Sequence, residues 1–123
     1  MLINDLYHIQ SAKKEADGQW IFELVFHEDN PIFKAHFPGN PIVPGACIIQ
    51  VVKELYQNAT GLDLEIKRVR NVKFKNIIHP GNPAVVTFSL SYAPLADGML
   101  ELKADVSHKD MVFNKMSLEA VNL

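Results

Sequence analysis

Pro44-Gly-Ala-Cys-Ile-Ile-Gln-Val-Val-Lys-Glu-Leu-Tyr-Gln-Asn-Ala-Thr-Gly61 decides the architecture. Ala46, Cys47, Ile48, Ile49, Val51, Val52, Leu55, Tyr56 and Ala59 cover most of the circumference of a helix predicted over about residues 45–59. Gln50, Lys53, Glu54 and Gln57 remain as one narrow polar stripe. Pro44 and Gly45 suit the start, where proline forfeits no hydrogen bond, and Asn58, Thr60 and Gly61 suit the end. A helix this apolar must be surrounded by other structure, because a helix resting on a surface keeps a broad polar face.

The flanking sequence supplies strands to surround it. Trp20, Phe22, Leu24 and Phe26 alternate with Ile21, Glu23 and Val25, which gives a strand with one firmly buried face, broken by Asp29-Asn30-Pro31. Leu64, Ile66, Val72 and Phe74 share one parity, but Val69 falls on the polar side and Arg68 and Arg70 on the apolar side, so a bulge or break is expected near 68–70. Residues 84–92 and 100–106 alternate cleanly, with Asp97-Gly98 as the hairpin between them and His108-Lys-Asp110 as the next turn. Val112, Met116, Leu118 and Ala120 give a final strand, interrupted by Asn114. The expected order is a strand, the long helix, then about four antiparallel strands. This is an α+β fold in one domain (1–123), its sheet curled around one long central helix.

Composition excludes several functions. A formal charge of -2 argues against nucleic-acid binding. Cys47 is the only cysteine, so no intrachain disulfide can form and a reducing compartment is expected. No secretory leader or membrane-length apolar run is evident, and a cytoplasmic protein is expected. No zinc-ligand spacing or phosphate-cradling glycine loop stands out, and neither a metal nor a cofactor is expected.

Immediately before the helix stands His36-Phe-Pro-Gly-Asn-Pro-Ile-Val-Pro-Gly45. It closely resembles the signature of the (3R)-hydroxyacyl-ACP dehydratases of type II fatty-acid synthesis, which have the hot-dog fold. Arg70-Asn-Val-Lys-Phe-Lys75 resembles the family's basic strand, and His79-Pro80-Gly81 its Pro-Gly turn. The resemblance implies elimination of water from a 3-hydroxyacyl thioester. His36 would remove the C2 proton and pass one to the departing hydroxyl. The Gly45 amide at the helix N-terminus would clamp the thioester oxygen. Phe37, Pro44 and Ala46 would lie with Gly45 at the acyl group. It further implies a homodimer with the site formed across it, and acyl carrier protein as partner.

One departure stands out. Where the family places its catalytic acid on the helix this chain has Gln50, whose amide can hold a water or hydrogen-bond a hydroxyl but cannot deliver a proton as a carboxylic acid does; general acid–base help is typically worth about 100- to 10,000-fold. Glu54, one turn on, could substitute only in a rearranged pocket. Gln50 could equally be part of a polar stripe at a dimer interface. His8, His27, His79 and His108 are read as ordinary satisfied or surface residues, and Cys47 as core packing. Lys67, Arg68, Arg70, Lys73 and Lys75 put five cations within nine residues of an acidic chain. They form either a solvated strand face or a dock for an acidic carrier, with Lys67, Lys73 and Lys75 as the docking residues. Two other functions stay open: an acyl-ACP thioesterase, and a non-catalytic acyl-ACP binding subunit paired with an active homologue.

Overall fold

In the computed structural model, which describes residues 1–35 and 39–123, the alternating segments form a single antiparallel sheet. The elements are β1 (Tyr7–Ala16), β2 (Gln19–Phe26), a short α1 (Pro31–Ala35), the long α2 (Gly45–Thr60), β3 (Leu64–Phe74), β4 (Val86–Pro94), β5 (Leu100–His108) and β6 (Met111–Asn122). The six strands lie in the order β1-β2-β4-β5-β6-β3. Phe22, Leu24, Phe26, Val86, Phe88, Leu102, Val106 and Leu118 are all buried on one sheet face, and Ile48, Val51, Val52, Leu55 and Tyr56 of α2 are buried with them in one core. This is the α+β hot-dog arrangement. No helix among the described residues is long and apolar enough to cross a membrane.

Local chemistry sets the boundaries. Pro44, at φ -62° and ψ 146°, caps the start of α2 in an extended conformation. At the other end Gly61 adopts the left-handed conformation, φ 73°, and its N–H returns to the Gln57 carbonyl at 2.8 Å. In the β1–β2 turn Gly18 has φ 72°, and a Cβ there would stand 2.5 Å from the Tyr92 carbonyl oxygen, so only glycine fits.

Two expectations are corrected, and the bulge expected near 68–70 is found as a pair of shifts. Two strands precede the helix rather than one, because β1 is an edge strand in which only Tyr7 and Ile9 meet the core and every residue after Ile9 is exposed, too short a signal to read. The parity conflict in β3 arises from two register shifts, between Ile66 and Arg68 and between Val69 and Asn71. Opposite Ala120, Leu118, Met116 and Asn114, the inward residues are therefore Ile66, Val69, Val72 and Phe74. Finally, β6 runs on through Asn114; the irregularity lies at Phe113, and Asn114 faces inward and is fully buried.

Candidate active site

The first turn of α2 is open at its N-terminal end. The Pro44 carbonyl accepts the Cys47 and Ile48 amides at 3.0 and 3.2 Å, and no side chain among the described residues caps the helix. Among the described residues the N–H groups of Gly45 and Ala46 have no partner. Unpaired donors at a helix N-terminus attract a developing negative charge. The Phe74 ring lies against Gly45: a Cβ there would meet its Cζ at 2.8 Å, so any larger residue must displace the ring. The loop leading in is held by the Val43 amide, which donates to the Ile78 carbonyl at 2.8 Å, and by His79 Nδ1, which donates to the Pro41 carbonyl at 3.0 Å. Expected site residues Pro44, Gly45 and Ala46 are thus brought together. His36 and Phe37 lie outside the described residues; α1 just before them begins where Asn30 Oδ1 accepts the Ile32 amide at 2.9 Å.

Further along α2, Gln50 and Glu54 are joined, but not as a solvent-facing stripe. Glu54 is only 1% exposed. Its carboxylate accepts the Leu2 amide at 2.9–3.0 Å, the Ile3 amide at 2.8 Å, the Tyr7 hydroxyl at 3.2 Å and Gln50 Nε2 at 2.8 Å. Burial alone would push this carboxyl up. The donors from Leu2, Gln50, Ile3 and Tyr7 outweigh it and hold the group below its ordinary value. The Tyr7 hydroxyl is raised, by burial first and then by the charge and hydrogen bond of Glu54. Glu54 is therefore an ionised anchor for the N-terminal segment and a poor proton source. Neither its role nor its partners were legible in the sequence, since two of the donors are backbone groups some 50 positions away.

The remaining candidates separate. Lys67 pairs with Glu65 at 3.0 Å. Lys73 lies on the outer sheet face directly opposite Lys115, in an open groove of about 520 Å³ that Lys103 also lines. Lys75 lines a different open cavity of about 650 Å³ near His79 and His108. Of the three expected docking residues, Lys67 is ion-paired, and Lys73 and Lys75 line different cavities. The histidines outside the motif are each bonded: His8 Nδ1 to His27 Nε2 at 2.8 Å, His27 Nδ1 to the Asp5 carbonyl, His79 as above, and His108 Nδ1 to the Val85 carbonyl at 3.0 Å. Burial raises the Cys47 thiol pKa, as befits packing rather than nucleophilic attack. Among the described residues no cluster of histidine, cysteine or carboxylate side chains is placed to hold a metal ion.

Comparison with known proteins places this geometry. The family model described as ApeI-like, ApeI dehydratase, matches residues 11–115. The 3-hydroxyacyl-[acyl-carrier-protein] dehydratase FabZ of Caldicellulosiruptor saccharolyticus is 28% identical over 100 residues, covering 73% of this chain and 66% of the relative. FabZ of Caulobacter vibrioides is 33% identical over 63 residues, covering 44% and 40%. The chain spans about two thirds or less of the length of these curated relatives. Among solved structures, the dehydratase heterocomplex ApeI:P from Xenorhabdus doucetiae superposes with a TM-score of 0.74 at 17% identity, covering 92% of this chain and 96% of that one. A hypothetical thioesterase with coenzyme A from Streptococcus pneumoniae gives 0.66 at 11% identity, covering 98% and 90%. These likenesses show the hot-dog fold.

Proposed function

Because the chain belongs to the ApeI-like dehydratase family, we propose that it eliminates water from a 3-hydroxyacyl group carried on acyl carrier protein, giving the trans-2-enoyl thioester. The observation that carries this reading is the open first turn of α2, with the Gly45 and Ala46 amides unpaired beside Phe74. His36 takes the C2 proton, and the negative charge that develops on the thioester oxygen is met by the Gly45 N–H. The electron pair from C2–H forms the C2=C3 bond, the C3–O bond breaks, and the hydroxyl leaves as water with the proton His36 returns. Phe37 and Pro44 line the acyl group, and Gln50 holds the hydroxyl without supplying an acid. Mass spectrometry of a 3-hydroxyacyl thioester incubated with the protein should show conversion to the enoyl form, abolished by His36→Ala. A folded protein that instead hydrolyses a saturated acyl thioester is a thioesterase, and the reading fails.

A second reading rests on Glu54. Glu54, the carboxylate one turn from the expected acid position, is consumed by the N-terminal segment and Gln50. In this reading a second hot-dog chain supplies the acid, and this chain contributes scaffold and thioester clamp. The inward face of β3 leaves Val69 and Phe74 exposed at 47% and 55%, an apolar edge that a second copy or such a homologue would cover. Sedimentation of the protein alone at micromolar concentration tests the homodimer. A monomer that turns over substrate only after a catalytic homologue is added selects the second reading.

A further inference from the structure

We infer that Glu54 fixes the side-chain amide of Gln50 with its nitrogen inward and its carbonyl outward, so that the site selects 3-hydroxyacyl over 3-oxoacyl groups. This inference rests on the dehydratase reading and names what the site discriminates. A carboxylate oxygen only accepts, so the group 2.8 Å from it must be the NH₂ of Gln50. The Glu54 carboxylate is itself immobile: four groups donate to it and it is 1% exposed. The Gln50 carbonyl oxygen has no partner among the described residues and is not enclosed. An outward acceptor binds a hydroxyl, which donates. It opposes a ketone oxygen, which can only accept, and the mismatch leaves both oxygens without a donor. Gln50 thus reads the oxidation state at C3, and Glu54 acts as its positioning residue.

Substitution of the anchor gives a sharp expectation. In Glu54→Gln, Oε1 keeps the Ile3 and Tyr7 donors and the 3.0 Å bond from the Leu2 amide; only the second Leu2 contact, 2.9 Å to Oε2, is given up. The new NH₂ then occupies the place of Oε2 and faces Gln50, which must turn its own carbonyl inward to accept it. Gln50 now presents NH₂ outward, which donates to a ketone as readily as to a hydroxyl oxygen.

The experiment is calorimetric binding of 3-hydroxyacyl and 3-oxoacyl N-acetylcysteamine thioesters of equal chain length, in a His36→Ala background that leaves the hydroxyacyl ligand intact. The parent should bind the hydroxyacyl ligand about tenfold tighter. Glu54→Gln should close that gap chiefly by tighter 3-oxoacyl binding, a gain that mere loosening of the fold does not produce. Gln50→Met, which removes both ends of the amide without touching Glu54, should close it by weaker hydroxyacyl binding. A parent that binds both ligands equally overturns the inference while leaving the dehydratase reading standing. So does a gap that survives Gln50→Met, or Glu54→Gln in a cooperatively melting protein. A parent that binds neither ligand overturns both.

Discussion

Two stretches of the same helix treat polar groups in opposite ways. At the first turn the Gly45 and Ala46 amides have no protein partner among the described residues, while a turn and more later the Glu54 carboxylate gathers four donors in a buried setting. Unpaired donors at an open helix end cost little while water reaches them, and they are immediately available to a ligand. A saturated buried carboxylate is the reverse: it organises its neighbours and has no bonding capacity left for substrate. The difference separates the chemistry of α2 from its architecture: the open donors belong to an apolar stretch of sequence and the saturated acceptor to the polar one.

The strongest way to break this contrast is to remove one donor from the open turn. Gly45→Pro and Gly45→Ala both displace the Phe74 ring, but only the first deletes the N–H. Pro44, at φ -62° and ψ 146°, already has the extended conformation that a following proline demands. The kcat/KM of Gly45→Pro should fall about 100- to 1,000-fold below that of Gly45→Ala, the usual worth of one oxyanion donor. Equal rates for the two variants would remove the amide from the mechanism.

At the saturated end the expected loss is in stability. Glu54→Ala leaves the Leu2, Ile3 and Tyr7 donors buried or half-buried without an acceptor, and should cost about 3 kcal/mol in denaturant unfolding. The pH dependence has a definite sign. The folded carboxyl titrates below its ordinary value, so its contribution is complete above the ordinary carboxylate range and is lost as pH falls through the folded value. The melting temperature of the parent should therefore approach that of Glu54→Gln as pH falls below the ordinary carboxylate range. A difference that stays constant as pH falls through that range would mean that folding leaves the Glu54 carboxyl unshifted.

How much of this the sequence discloses depends on where the partners come from. β2, β4, β5 and α2 were legible because each buries one continuous face, and a buried face writes its period into the chain. β1 has no such face after Ile9, and two residues are too few to show a period. The three-residue spacing of Ile66, Val69 and Val72 did carry the two register shifts of β3, but as a parity conflict that a single bulge would also explain. The open turn was legible through its proline and glycine pattern. The Glu54 anchor was not, because its donors are the main chain of Leu2 and Ile3, and a backbone amide looks the same at every residue.

A smaller effect is expected away from α2, on the outer sheet face. Lys73 stands directly opposite Lys115, a like-charged pair that a bound anionic partner would relieve. If the carrier docks there, Lys73→Glu with Lys75→Glu should weaken its binding about tenfold, and parent binding should fall as salt rises. Turnover of a small thioester lacking the carrier should hold. Lys67, already paired with Glu65, should contribute least, and a Lys67→Glu loss as large as that of the double variant would relocate the dock.

The smallest effect sharpens the contrast by supplying its third case. Asn114 is fully buried, yet among the described residues neither its amide nitrogen nor its oxygen has a partner, so it is neither open like Gly45 nor saturated like Glu54. It faces inward between Val106 on β5 and Phe74 on β3, the residue whose ring rests on Gly45. A buried amide without partners carries its full desolvation cost, and leucine has nearly the same shape without the polar atoms. Asn114→Leu should therefore raise stability by about 1 kcal/mol, read as a higher denaturant midpoint at unchanged slope. If the midpoint instead falls, the amide is bonded in solution and belongs with Glu54. If it rises while kcat/KM drops, the amide is held unpaired for substrate, and the open region of the site extends from the first turn of α2 past Phe74 to β6.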